Sequence, residues 1–216
     1  MTTVPLYFQQ DINEFTRLGV WQIAEAVDFF QQKVSFRYPV AHTQKQLQHL
    51  AAGYLLPVLY PDFPYQSIET LAFRKPYIPG NPYFFSLSHC SGYAAAIVSS
   101  SDSVGIDIET ISPRVQRIRH KFLSREENLW VCDFTPAEQD SILTLLWSIK
   151  ETVYKWLGQP GLIFNEHIRI HPINREGIQV AEVTLRHPDY SKQVQVFFIK
   201  LGGMYCSFLV DALPNN

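Results

Sequence analysis

Two short acidic segments with different periodicities most constrain what this chain can fold into. In Gly105–Glu109 apolar and acidic residues alternate, which is the period of a β-strand. Asp107 and Glu109 are therefore predicted to share one face of a strand. A second segment has helical spacing, and its stripe at i, i+3, i+4, i+7 and i+8 consists of Trp147, Lys150, Glu151, Tyr154 and Lys155.

If this helix packs against that strand, Asp107, Glu109 and Glu151 lie close together with Lys150 and Lys155. Clustered carboxylates repel one another unless a cation lies between them. Hard oxygen ligands without nearby cysteine or histidine partners favour Mg²⁺, with Mn²⁺ as an alternative, over zinc. Lysine side chains beside such a metal indicate a substrate that carries phosphate.

Composition excludes several classes of protein. The chain has 216 residues, 46% hydrophobic and 18% charged, which is typical of a folded globular protein. A net charge of −2 gives no general reason to expect nucleic acid. The three cysteines are widely spaced, which suits a reducing compartment. Without a signal-peptide pattern or a long apolar run, the protein is expected to be cytoplasmic and soluble, away from membranes.

Local patterns predict an α+β fold in two similar-sized lobes, residues 1–102 and 103–216. Each lobe is expected to be a small, mostly antiparallel sheet with helices, the two related by a pseudo-twofold arrangement. Strands are predicted at Phe84–Ser88, Ala94–Ser99, Val104–Glu109, Ile178–Leu185, Val194–Lys200 and Met204–Val210.

Helices are predicted over residues 20–33 and from Thr43 to about Leu56. Ser124 with Glu127 forms a capping-box pattern that opens another helix. A further box at Thr135, with proline next, opens the helix that carries the second acidic segment and ends near Leu157.

Four motifs follow one another between residues 74 and 158. They are Arg74-Lys75-Pro76, Phe85-Ser86-Leu87-Ser88-His89-Cys90, Gly105-Ile106-Asp107-Ile108-Glu109, and Trp147-Ser148-Ile149-Lys150-Glu151 with Lys155. In this order and spacing the chain resembles the 4'-phosphopantetheinyl transferase superfamily, of the surfactin-synthetase-activating type. The resemblance implies an enzyme that moves phosphopantetheine from coenzyme A to a serine of an apo carrier protein and releases adenosine 3',5'-bisphosphate.

The resemblance also implies residue roles. Asp107, Glu109 and Glu151 would hold Mg²⁺ against the coenzyme A pyrophosphate. Lys150 and Lys155 would support the same oxygens, and Glu127 would help to deprotonate the attacking serine. The residues implied to contact coenzyme A are Lys75, Ser88, His89 and Lys155.

One departure from the family concerns the nucleotide. Relatives often carry an arginine near Tyr54 that grips the 3'-phosphate of coenzyme A, and this chain has none there. Arg37, Lys45 or Arg74 is expected to replace it.

A basic segment without acidic residues contains Arg114, Arg117, Arg119 and Lys121. It is either a solvated basic face or a docking site for an acidic carrier protein, which it would attract by long-range electrostatic steering. The protein is expected to act as a monomer. Two other functions remain open at this point, a Mg²⁺-dependent phosphohydrolase of nucleotides or coenzyme A, and a non-catalytic module that binds coenzyme A or a carrier protein.

Overall fold

The chain folds into two antiparallel sheets that use successive parts of the sequence. The computed structural model describes residues 6–34, 43–70, 75–80, 82–173, 179–187 and 190–212. The strands are β1 (Phe8–Asn13), β2 (Thr16–Gln22), β3 (Phe84–Cys90), β4 (Tyr93–Ser99), β5 (Val104–Thr110), β6 (Ile168–Ile170), β7 (Val180–His187), β8 (Tyr190–Leu201) and β9 (Met204–Val210).

The first sheet has the order β1-β2-β4-β3 and the second has the order β5-β9-β8-β7-β6. The α+β class with two antiparallel sheets is confirmed. A domain boundary after residue 102 and a pseudo-twofold relation between the lobes remain predictions.

The helices lie outside this pair of sheets. They are α1 (Val27–Gln31), α2 (Thr43–Leu59), α3 (Arg119–Phe122), α4 (Arg125–Cys132), α5 (Pro136–Leu157) and α6 (Phe164–His167), with 3₁₀ turns at Tyr65–Ser67 and Pro113–Ile118. Both capping boxes form as predicted. Among the described residues no helix has both the length and the apolarity needed to cross a membrane.

Side-chain alternation organises the molecule into four layers. In β4, Ala94 and Ala96 pack with the residues of α2, whereas Ala95 and Ile97 pack with the second sheet. The other face of the second sheet packs against α5. In β5 the apolar residues Ile106 and Ile108 face the core between the sheets, so the acidic residues between them are turned towards α5.

The prediction of a helix over residues 20–33 is wrong. Thr16–Gln22 is strand β2 and pairs with β4 along its whole length, and only Val27–Gln31 is helical. The apolar residues 18, 20 and 21 are all buried, because both faces of this strand are covered. Pairing with a distant strand therefore overrides the local helical pattern.

Helix α5 lies unusually close to β5, and this contact places the candidate site. A Cβ atom at Gly105 would come within 2.3 Å of the Thr152 carbonyl oxygen, so only glycine permits this approach. The helix then ends at Gly158, which adopts the left-handed conformation. The acidic residues of β5 and of α5 are thus held on facing surfaces.

Candidate active site

A cavity of about 570 Å³ lies where β3, β5, α2 and α5 meet. Its walls bring together all four predicted motifs. The lining residues are His49, Ala52, Lys75, Pro76, Phe85, Ser86, Leu87, Ser88, His89, Asp107, Glu109, Trp147, Glu151, Tyr154, Lys155 and Gly158.

Asp107 is the most deeply placed carboxylate, with 2% of its surface exposed. Its Oδ1 atom accepts hydrogen bonds from the Ser88 hydroxyl at 2.9 Å and from the Lys155 ammonium at 2.6 Å. Its Oδ2 atom is buried and has no hydrogen-bond partner. An unsatisfied carboxylate oxygen in the wall of a cavity is a candidate ligand for a cation.

Glu109 and Glu151 line the same cavity, and their surroundings disfavour the ionised carboxylates. Burial, and then the charge of Asp107, raise the pKa of Glu109 to about 7. The same two causes raise the pKa of Glu151 to about 7. The Trp147 indole donates to Glu109 Oε1 at 3.1 Å and fixes that carboxyl group. The three acids therefore line one cavity, in an environment that disfavours their common ionisation.

Two lysines, Lys75 and Lys155, line this cavity. The Lys155 ammonium donates to both Asp107 and the Ser88 hydroxyl. The Lys75 ammonium donates to the Val104 carbonyl oxygen at 2.5 Å, and burial lowers its pKa to about 7.

Two histidines form an imidazole pair in the same cavity. The ring centroids of His49 on α2 and His89 on β3 lie 4.9 Å apart in an edge-to-face contact. Burial, followed by the neighbouring His49 and Lys155, lowers the pKa of His89 to about 4. Sequence reasoning missed His49, although its position one helical turn after Lys45 could have indicated it.

Lys150 and Glu127 lie outside the cavity. The Lys150 ammonium donates to Glu127 Oε2 at 2.7 Å and to the carbonyl oxygens of Phe164 and Ile168. Glu127 also accepts from the backbone amides of Ser124 and Ile170. Both side chains are almost fully buried, at 0% and 2% exposure. Their catalytic roles stay predictions, and the structure gives each of them a complete set of internal partners instead.

Of the candidate replacements for the missing arginine, Arg37 and Arg74 lie outside the described residues. Lys45 is exposed on α2. Burial lowers the pKa of His49, and the charge of Lys45 is the second, smaller cause. An arginine in place of Gly53 would not fit without rearrangement, because its Cβ would lie 2.8 Å from the Tyr65 hydroxyl oxygen.

Comparison with known proteins points in one direction. The sequence model of the 4'-phosphopantetheinyl transferase superfamily matches residues 103–202. The 4'-phosphopantetheinyl transferase ffp of Bacillus subtilis is 32% identical over 114 residues, covering 51% of this chain and 50% of the relative. The transferase gsp of Aneurinibacillus migulanus is 32% identical over 96 residues, 42% of this chain and 40% of the relative. Sfp of Bacillus subtilis strain 168 is 30% identical over 132 residues, 59% of this chain and 57% of the relative.

The chain thus spans about half the length of the curated relatives it matches. The matched region contains Asp107, Glu109, Glu151 and Lys155. Through residues 103–202, this chain is similar to the 4'-phosphopantetheinyl transferase superfamily, and Sfp is among the relatives that it resembles.

Proposed function

We propose that this protein transfers 4'-phosphopantetheine from coenzyme A to a serine of an apo acyl or peptidyl carrier protein. The observation that carries the proposal is the convergence of Asp107, Glu109, Glu151 and Lys155 on one cavity that also contains His89. Carboxylates for a cation and basic groups for phosphate are what transfer of a phosphoryl-linked group requires.

Asp107, Glu109 and Glu151 would hold Mg²⁺, which supplies charge neutralisation at the pyrophosphate when bound. Their all-oxygen donor set and the unpartnered Asp107 Oδ2 atom fit this ion. In the described part of the chain, no three histidine, cysteine, aspartate or glutamate side chains are arranged so that they could hold a metal ion together. The metal assignment therefore rests on the shared cavity and on the free oxygen.

In the reaction, the carrier serine Oγ would form a bond to the β-phosphorus of coenzyme A. The bond from that phosphorus to the bridging oxygen would break, and adenosine 3',5'-bisphosphate would leave with that oxygen. Lys155 would stabilise the charge on the reacting phosphates, and Lys75 would lie towards the nucleotide. The serine proton would pass to a general base, for which Glu127 stays the predicted residue.

Intact-mass analysis of an apo carrier protein incubated with this protein and coenzyme A tests the proposal. We expect a mass gain of one phosphopantetheine group that requires Mg²⁺ and is abolished by EDTA. A carrier whose target serine is replaced by alanine is the matched control and should gain nothing.

The two alternatives predict other results. A phosphohydrolase would release phosphopantetheine into solution without any acceptor. A binding module would bind coenzyme A without turnover on either acyl or peptidyl carriers. Either result would overturn the transferase proposal.

The stabilising effect of Mg²⁺ should increase as pH rises through about 7. Burial and the charge of Asp107 raise the pKa values of Glu109 and Glu151 to about 7. The contribution of these two groups to the stability of the metal-free protein is therefore complete below their ordinary pKa, and it is lost as pH rises through about 7. A cation binds the ionised forms and reverses this loss. The measurement is the unfolding midpoint with and without Mg²⁺ at about pH 6 and about pH 8. An equal Mg²⁺ increment at both values would contradict the expectation.

His49 should contribute to recognition of the 3'-phosphate of coenzyme A. It lies beside His89 in the cavity and one turn from Lys45, in the region that lacks the family arginine. We expect His49→Ala to weaken coenzyme A binding by about tenfold and dephospho-coenzyme A binding by less than about threefold, because a hydrogen bond to a charged group is lost only for the former. Calorimetry with both ligands measures this, and an equal loss for both would remove the assignment.

The predicted docking segment is only partly available to a partner. Arg114, Arg117 and Lys121 are exposed. Arg119 instead donates from Nε and a terminal nitrogen to Asn128 Oδ1, at 2.9 and 2.6 Å. We therefore assign carrier docking to the three exposed groups and a structural role to Arg119. This assignment and the expected monomeric state stay predictions.

The variant Arg114→Glu with Arg117→Glu should raise the KM for an acidic carrier by about tenfold and leave coenzyme A binding unchanged, because steering by charge is lost. The matched control is Lys33→Glu with Arg186→Glu, which changes net charge equally at exposed positions elsewhere. Steady-state kinetics with varied carrier and salt measures the effect. An equal KM for the two double variants would show that only net charge matters.

A further inference from the structure

The junction of the two sheets is made by side chains rather than by backbone pairing. Strands β3 and β5 are edge strands of different sheets. The Ser86 hydroxyl accepts a hydrogen bond from the Ile106 amide, and the Ser88 hydroxyl accepts one from the Ile108 amide, both at 3.2 Å. These two serines therefore occupy equivalent positions along one junction.

Ser88 differs from Ser86 in what else it binds. Its hydroxyl donates to Asp107 Oδ1 at 2.9 Å and accepts from the Lys155 ammonium at 2.8 Å. With the Ile108 amide, these contacts use the one donor and both acceptor positions of a hydroxyl group. Since Ser88 is only 5% exposed, a direct bond from this hydroxyl to coenzyme A would require one of these contacts to break.

We infer that Ser88 is a positioning residue, which orients Asp107 and Lys155 from the opposite sheet rather than contacting the cofactor through its hydroxyl. Ser88 and Lys155 both donate to Asp107 Oδ1, Lys155 at 2.6 Å, and Lys155 also donates to the Ser88 hydroxyl. The carboxylate is thereby fixed with Oδ2 as the oxygen left without a partner. The consequence for Mg²⁺ rests on the proposed function, whereas the orientation of Asp107 does not.

A double-mutant cycle in unfolding tests the orientation without metal or substrate. Ser88→Ala and Asp107→Ala should be non-additive, by about three- to 100-fold in the unfolding equilibrium constant, because each variant removes the hydrogen bond that the two residues share. Ser86→Ala is the matched control, since it loses the same kind of backbone contact without touching Asp107. It should be additive with Asp107→Ala. Additivity of Ser88→Ala with Asp107→Ala would overturn the inference, even if the protein is a transferase.

Binding of Mn²⁺ in the presence of coenzyme A, followed by electron paramagnetic resonance, tests the consequence. Ser88→Ala should weaken Mn²⁺ binding by about 10- to 100-fold, as loss of a group that orients a ligand does, whereas Ser86→Ala should change it by less than about threefold. Ser88→Thr, which keeps the hydroxyl, should restore binding. Equal affinities for both alanine variants would overturn the inference. Failure of the wild-type protein to bind Mn²⁺ would instead count against the proposed function, and the unfolding cycle would still decide the role of Ser88.

Discussion

Replacement of Asp107 by asparagine should reduce transfer by about 10³-fold while the protein remains folded. Asparagine keeps the shape of the side chain and can still accept from Ser88 and Lys155 through its amide oxygen. It removes the negative charge and places an amide nitrogen where the unpartnered Oδ2 atom lies. The loss should therefore come from the reaction and not from the fold.

This variant has a second expected effect that is independent of turnover. The charge of Asp107 contributes, after burial, to the raised pKa values of Glu109 and Glu151. In Asp107→Asn both pKa values should fall towards the ordinary range, because one source of repulsion is gone. Carbon-detected NMR titration of the glutamate carboxyl groups measures this directly.

Asp11→Asn is the matched control for Asp107→Asn. Asp11 is 68% exposed and pairs with Arg17 at 3.5 Å, so its replacement should change neither transfer nor the pKa of the two glutamates. Transfer by Asp107→Asn within tenfold of the control would refute the role of Asp107 as a cation ligand, since an amide cannot replace the charge.

Local sequence patterns were sufficient for the parts of the fold that depend on neighbouring residues. The alternation in Gly105–Glu109 and the capping box at Thr135 identify β5 and α5, and these two elements carry most of the site. Strand β2 could not be identified in this way, because its conformation is set by pairing with β4, more than 70 residues away. Contacts of that range leave no periodic trace in a single sequence.

The same limit applies within the site. The sequence indicated Ser88 and Lys150 through their motifs but gave no information on their partners. Ser88 meets Asp107 across two sheets, and Lys150 meets Glu127 from another helix. Residue type and spacing therefore placed Asp107, Glu109, Glu151 and Lys155 together but wrongly added Lys150, which lies outside the cavity, because the division between chemical and structural roles depends on tertiary packing.

That division gives the second large effect, a loss of stability in Lys150→Met. The Lys150 side chain has no exposed surface, and its ammonium bonds Glu127 at 2.7 Å and the Ile168 carbonyl at 2.6 Å. Burial lowers the pKa of Lys150, and the Glu127 charge opposes this effect. Methionine fills a similar volume but leaves a buried carboxylate without its cation. We expect the free energy of unfolding to fall by about 3–5 kcal/mol.

The double variant Lys150→Met with Glu127→Gln should recover part of this stability, because no uncompensated charge then remains. Denaturant unfolding followed by circular dichroism measures both variants against the unaltered protein. A loss below about 1 kcal/mol for Lys150→Met would show that the pair contributes little to the fold.

Lys155→Met provides the contrast that separates structure from catalysis on one helix. Its ammonium lies at the cavity, is 25% exposed and bonds Asp107 and Ser88. Lys155→Met also leaves the buried Asp107 carboxylate without its cation, so it is assayed where it is folded, and there it should lose transfer by about 10²-fold or more. Lys150→Met, assayed at a temperature where it is folded, should retain kcat within about tenfold, because its ammonium does not face the cavity. If Lys150→Met and Glu127→Gln lose kcat as severely as Lys155→Met while folded, the buried pair acts in proton transfer, and its partners must separate during turnover to reach the substrate.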